Sequence, residues 1–226
     1  TPVLFGEHNM KLRFTLAASA ALLALSPISA TVAAPTKSAA MEVPSQLPRN
    51  AAPLHYSITV TPNAEKLSFD GNVLIEFLLK TPSDSITLNA ADIDFRRVTI
   101  AKGRAAAMPA TAKIDAAAQT ATISFGKKLA AGRYTLNIDY AGKILQQANG
   151  LFALDYKDPQ GAEKRALFTQ FEAPDARRFV PSWDEPNYKA TFDLTATVPS
   201  EQMAVSNMPV AARRDIGNGL AEVRFG

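Results

Sequence analysis

The densest cluster of carboxylates, guanidinium groups and aromatic rings is Thr169-Gln170-Phe171-Glu172-Ala173-Pro174-Asp175-Ala176-Arg177-Arg178-Phe179-Val180-Pro181-Ser182-Trp183-Asp184-Glu185-Pro186, continued by Asn187-Tyr188-Lys189-Ala190-Thr191-Phe192. A strand is expected to end near Phe171, because Ala173-Pro174 does not extend a ladder easily. Asp175 can then cap a short helical turn through Ala176 to Phe179, and Pro181 and Pro186 hold an irregular loop. Loops and strand ends on a rigid sheet commonly carry binding groups. Glu172, at such an edge, suits a cationic group, since a partly desolvated carboxylate pairs strongly with an ammonium. Gln170 lies two residues earlier, on the same face of an extended strand, with an amide that donates and accepts. The same residues also support a plainer reading: Glu172 forms an ion pair with Arg177 or Arg178, while Asp184 and Glu185 stabilise the loop. Trp183, the single tryptophan, reads as an anchor of the loop against a sheet, and the two arginines as braces to Asp175, Asp184 or Glu185.

Other chemistries are excluded by composition. The chain has no cysteine, so disulfides, thiolate nucleophiles and Cys-based zinc sites are absent together. Its two histidines, His8 and His55, are too few for a catalytic zinc site of the usual kind. Lys+Arg 24 against Asp+Glu 21 leaves a net charge of +3, with the basic residues scattered. Neither a nucleic acid nor an anionic membrane surface is the partner this pattern favours.

The elements that must position the cluster are strands. Beyond Pro48 the apolar period is two: Leu54, Tyr56, Ile58 and Val60 alternate in one run, and Phe69, Gly71, Val73, Ile75, Phe77 and Leu79 in the next, with residues 63–66 as the hairpin connection. Further strands are expected over residues 85–89, 97–101, 121–125, 133–140, 151–156, 166–171, 190–198, 203–206 and 221–225. The Ala-rich residues 103–118 leave room for a helical turn. Many strands with turn punctuation and no amphipathic helix predict an all-β fold, an antiparallel sandwich or saddle over residues 49–226.

Ahead of this domain, Met10-Lys11-Leu12-Arg13 and the apolar run from Phe14 to Leu25 have the profile of a signal peptide, read as residues 10–33 with cleavage after Ala30 or Ala33. An uncleaved anchor or a core helix is the other reading of that run. Residues 1–9 do not resemble a basic leader head and are read as non-native upstream sequence. Residues 34–48, rich in Ala, Pro, Ser and Thr, are expected to form a flexible spacer. This pattern sends the remainder out of the cytoplasm, to the periplasm or the extracellular space, with no stable membrane insertion after cleavage.

Taken as strings, Thr169-Gln170-Phe171-Glu172, Asp175-Ala176-Arg177-Arg178, Pro181, Asp184-Glu185-Pro186 and Lys189-Ala190-Thr191-Phe192 resemble the signature of the amino-terminal domain in the aminopeptidase N family of zinc metallopeptidases. Leu47-Pro48, Pro53-Leu54-His55-Tyr56, Phe69-Asp70-Gly71 and Asn149-Gly150-Leu151-Phe152 extend the likeness over residues 47–226. Ser182 and Trp183 stand where many members have Cys and Phe. The resemblance implies a β domain packed on a separate zinc-binding catalytic domain. It also implies peptide substrates with a free amino end, Glu172 holding their α-amino group and Gln170 lining the pocket for the first side chain. The family's G-x-M-E-N and H-E-x-x-H motifs do not occur here. The chain is therefore expected to be a fragment without the zinc site and inactive by itself; a non-catalytic binding module of the same superfamily is the alternative.

Overall fold

Alternating apolar residues form a strand only when a neighbour takes up their N–H and C=O groups, and the long runs here find neighbours on both sides. The computed structural model describes residues 46–226. The segments read as upstream residues, as signal peptide and as most of the spacer lie outside the described residues. Twelve strands follow in order: β1 Ala51–Asn63, β2 Ser68–Leu79, β3 Ser83–Asn89, β4 Asp94–Ala101, β5 Met108–Asp115, β6 Thr120–Leu129, β7 Gly132–Lys143, β8 Gly150–Lys157, β9 Glu163–Gln170, β10 Thr191–Pro199, β11 Val210–Gly217 and β12 Leu220–Phe225. No helix among the described residues is long and apolar enough to cross a membrane.

Ten strands form one ribbon in the order β11-β12-β10-β1-β2-β7-β4-β5-β6-β3, and β8 and β9 make a separate hairpin. The expected all-β sandwich is what forms. β5 is the strand that changes layer: Met108, Pro109 and Ala110 pair with β4, whereas Thr111 to Asp115 pair with β6. The β3–β6 side thereby folds over the rest, and Ile86, Leu88, Ile123 and Phe125 share one apolar cluster with Val73, Ile75, Phe77, Leu136, Ile138 and Tyr140. Among the described strands every pairing is antiparallel except that of β1 with β10, which run parallel from the pair His55–Thr191 to the pair Val60–Ala196; outside the strands, Leu145 makes a parallel bridge to Phe152.

Three local expectations are corrected by tertiary pairing, and one strand, β11, lies where none is expected. Residues 103–118 hold no helical turn but strand β5, because half-buried Met108, Ala110 and Ala112 pack on the core while the backbone pairs on both sides, overriding alanine's helical preference. Residues 203–206 pair with nothing; Met203 and Val205 are exposed and the ladder resumes only at β11. β11 is exposed along its length and has no apolar alternation to read. Leu54 leaves the buried register because a bulge between Pro53 and His55 shifts the phase, so Tyr56, Ile58 and Val60 face the core without it. Among the described residues read as spacer, Leu47 is buried, and the N–H groups of Gln46 and Leu47 donate to Glu185 Oε1 at 2.8 and 3.1 Å.

Two aromatic rings of the core lie against cross-strand glycines. Phe69 on β2 faces Gly142 on β7, and Gly71 faces Tyr140. A Cβ on Gly142 would come no farther than 3.0 Å from Cζ, Cε1 and Cε2 of Phe69. The two rings meet edge to face at 6.2 Å, and Phe69 also packs on Phe179 at 5.6 Å. This places the first contact between the sheet and the loop that follows β9.

Candidate functional site

β9 ends at Gln170, one residue earlier than the sequence suggests, and a cis Ala173-Pro174 peptide turns the chain into a 3-10 turn at Ala176–Arg178. Phe171 points toward Phe179, with ring centroids 5.2 Å apart. An aromatic ladder Phe171, Phe179, Phe69, Tyr140 therefore runs from the loop into the core. Gln170 and Glu172 are both exposed, and the Gln170 side-chain oxygen accepts from the Glu172 N–H at 2.9 Å.

The arginines brace the loop. Arg177 is buried; its Nε donates to Asp184 Oδ2 at 2.9 Å, its Nη2 to the Asp184 carbonyl at 3.1 Å and its Nη1 to Gln119 Oε1 at 3.4 Å. Its own carbonyl accepts from the Ala91 N–H at 2.9 Å. Arg178 donates through Nε to Asp175 Oδ1 at 2.8 Å and through Nη1 to Asp92. Asp175 does sit at the cap position of the turn, but its carboxylate caps nothing. Its second oxygen accepts from Asn149 Nδ2 at 2.7 Å instead. A charged guanidinium and a side-chain amide outcompete the few N–H groups that a three-residue turn leaves free. The Asn149 hydrogen bond first, and Arg178 after it, hold the Asp175 carboxyl below the usual carboxylate range against the opposing effect of burial.

The far limb of the loop is tied to the end of β3. Asn89 exchanges backbone hydrogen bonds with Ser182 at 2.8 and 3.1 Å, and its side-chain oxygen accepts from the Asp184 N–H at 3.0 Å. Trp183 is buried against Phe77 and Tyr188, as an anchor should be, and its backbone N–H donates to the Tyr56 hydroxyl at 3.1 Å. Burial holds that hydroxyl well above its ordinary pKa. Glu185 takes the N–H groups of Gln46 and Leu47.

With these partners assigned, the ion pair of Glu172 with Arg177 or Arg178 does not form: the arginines are engaged by Asp184, Asp175 and Asp92. The Glu172 carboxylate has no hydrogen bond or ion pair among the described residues. It stands on open surface: clefts of about 240 and 560 Å³ occur elsewhere, and neither is lined by Gln170 or Glu172. Among the described residues no group of three His, Cys, Asp or Glu side chains could hold a metal ion, so a zinc ion has no fitting site in them. Sequence reasoning missed Asn149, Asn89, Asp92, Gln119 and Tyr56 as partners of the loop. Only Asn149 carried a local signal, the turn-forming Asn149-Gly150 pair; the others become neighbours through strand order alone.

The all-β sandwich thus braces this loop through paired charges and leaves the Glu172 carboxylate of it unengaged. The profile of the Peptidase M1 N-terminal domain matches residues 52–226, and the chain belongs to that family. Aminopeptidase N of Acetobacter pasteurianus is 40% identical over 204 residues, which are 90% of this chain and 56% of that protein. Aminopeptidase M1-C of Oryza sativa subsp. japonica is 36% identical over 76% of this chain and 19% of its own length. The puromycin-sensitive aminopeptidase of Caenorhabditis elegans is 31% identical over 77% of this chain and 18% of its own. The chain thus spans from about a fifth to just over half of the curated relatives it matches.

Proposed function

We propose that this chain is the substrate-binding amino-terminal domain of an exported zinc aminopeptidase, in which Glu172 receives the α-amino group of a peptide and Gln170 flanks its first side chain. The observation that carries the reading is the Glu172 carboxylate itself, exposed and unengaged in a loop whose neighbouring charges are paired. An ammonium paired with it at an open surface gains at most about 1 kcal/mol. Covered by a catalytic domain, the same pair loses its water and gains about 1.5–3 kcal/mol, the range of hydrogen bonds to charged groups. The domain then acts as a ruler: it fixes the amino end, and only the first peptide bond reaches the cleaving centre.

Zinc would be held by that catalytic domain, where it would supply Lewis-acid activation of water. The domain described here contributes selection and placement, and by itself it is expected to leave aminoacyl anilides intact. Export to the periplasm or extracellular space follows from the basic head and apolar run of residues 10–33. The test is Glu172→Ala in the full-length protein, assayed on peptides with free and acetylated amino ends. Binding of the free-amino peptide is expected to weaken about 10- to 100-fold, with the acetylated peptide unaffected. Equal responses of the two peptides refute the assignment.

A further inference from the structure

Glu172 lies in a short arc, Phe171 to Asp175, whose geometry depends on what holds its two ends. The Asp175 N–H donates to the Phe171 carbonyl at 3.2 Å, which closes the arc on itself. Its first end is fixed by strand pairing, since Gln170 is the register partner of Gly150 at the start of β8. Its second end is fixed by the Asn149 side chain, which donates to Asp175 Oδ2 at 2.7 Å. Two consecutive residues therefore grip both feet of the loop that carries Glu172.

The grip is anchored in turn. Asn149 is held by its own N–H to the Gln147 carbonyl at 2.7 Å. β8 is tied to the segment following β7 by the Leu145 N–H to the Leu151 carbonyl and the Ala153 N–H to the Leu145 carbonyl, both at 2.8 Å. Gly150 has φ +60, and a Cβ there would meet Cβ of Arg178 at 3.0 Å and the Asp175 carbonyl oxygen at 3.6 Å, so the turn packs directly against the loop's far foot. The other Asp175 oxygen is taken by Arg178, which also reaches Asp92. Asp175 is 7% exposed, so a lost Asn149 bond is poorly replaced by water.

We propose that Asn149, acting through Asp175, is a positioning residue that sets the place of the Glu172 carboxylate and hence the affinity for an amino-terminal ammonium. This rests on the reading of Glu172 given above. Without the Asn149 bond the loop keeps one foot on β8, while the Asp175 side chain at the other is held by Arg178 alone and can shift with it, and displacements near 1 Å at a binding group are costly. Asn149 itself touches no substrate.

The experiment is a double-mutant cycle in the full-length protein, using Asn149→Ala, Glu172→Ala and both together. The readout is calorimetric binding of an alanine-bearing tripeptide with a free amino end, beside its acetylated counterpart, so that turnover is not needed. Asn149→Ala is expected to weaken the free-amino peptide about five- to tenfold, to leave the acetylated one unchanged, and to add nothing in the Glu172→Ala background. Asp175→Asn, which keeps the shape of the acceptor but removes its charge, serves as the second variant if Asn149→Ala does not fold, with the same non-additivity expected. If Glu172→Ala weakens the free-amino peptide while the Asn149 and Asp175 variants do not, or if their effect adds in full to that of Glu172→Ala, the positioning role is overturned and the Glu172 reading stands. If Glu172→Ala itself has no effect, both fall.

Discussion

Gly142→Ala is the substitution whose consequence follows most directly from the geometry. The new methyl would lie under 3.0 Å from Cζ and Cε1 of the Phe69 ring, a closeness that real Cβ atoms essentially never show, so the ring or the strand must move. Phe69 is 2% exposed and sits between Tyr140 and Phe179, so it has no open side to swing into. Overpacking a closed core costs typically about 1–3 kcal/mol, and the absence of an escape route puts this case near the top, about 3 kcal/mol. For a domain of this size that corresponds to a fall in Tm of about 6–12 °C. Thermal and urea unfolding, followed by the emission of Trp183, would read the change. The mechanism also predicts coupling: Phe69→Leu costs some 1–3 kcal/mol alone, yet it removes the ring that the methyl strikes, so the double variant should be more stable than the sum of the single losses by about 1 kcal/mol or more. A Tm within a degree of the parent for Gly142→Ala, or strict additivity in the double variant, refutes the argument that the glycine exists to admit the ring.

Arg177→Ala should destabilise by about 3–5 kcal/mol, because it strands a carboxylate in a site where Arg177 and Asp184 are only 9% and 18% exposed; urea unfolding checks it. Trp183 should emit at short wavelength in the folded protein and shift to the red on unfolding, and Trp183→Ala should cost about 3–5 kcal/mol by the same unfolding assay. Asp139 and Asp175 have folded pKa values lowered chiefly by hydrogen bonds from Asn72 and Asn149 respectively. Their contribution is therefore complete above the ordinary aspartate value of about 3.9 and is lost as pH falls through the lower folded values. Tm measured from pH 6 downward should stay level and then drop below about pH 4, with a shallower drop in Asp175→Asn.

Much of the fold is written in local pattern. The rows Phe69, Val73, Ile75, Phe77, Leu79 and Tyr134, Leu136, Ile138, Tyr140 state their buried faces in advance, because a period of two has one meaning when turn residues bound it. Exposed β11 carries no such period, and its strand state comes from the neighbour that pairs with it. In β5 Met108, Ala110 and Ala112 do alternate toward the core, but the pattern is short and set among alanines that favour a helix. The parallel contact of β1 with β10 joins segments more than a hundred residues apart, a choice made by sheet closure rather than by either segment.

The candidate site divides along the same line. Sequence determined which residues stand in the loop and that Trp183 anchors it, since each follows from residue type and spacing of a few positions. The strand face expected to be shared by Gln170 and Glu172 does not extend that far: β9 ends at Gln170, and Glu172 lies in the turn after it. Tertiary structure decided the partners: Asp184 for Arg177, Asp92 and Asp175 for Arg178, Asn149 for Asp175, and thereby the unengaged state of Glu172. Charges within one loop have several neighbours in reach, and only the tertiary fold that brings Asn89, Asp92 and Asn149 against this loop selects among them. The pairing energies are short-ranged, so the selection exists only once the sandwich has closed.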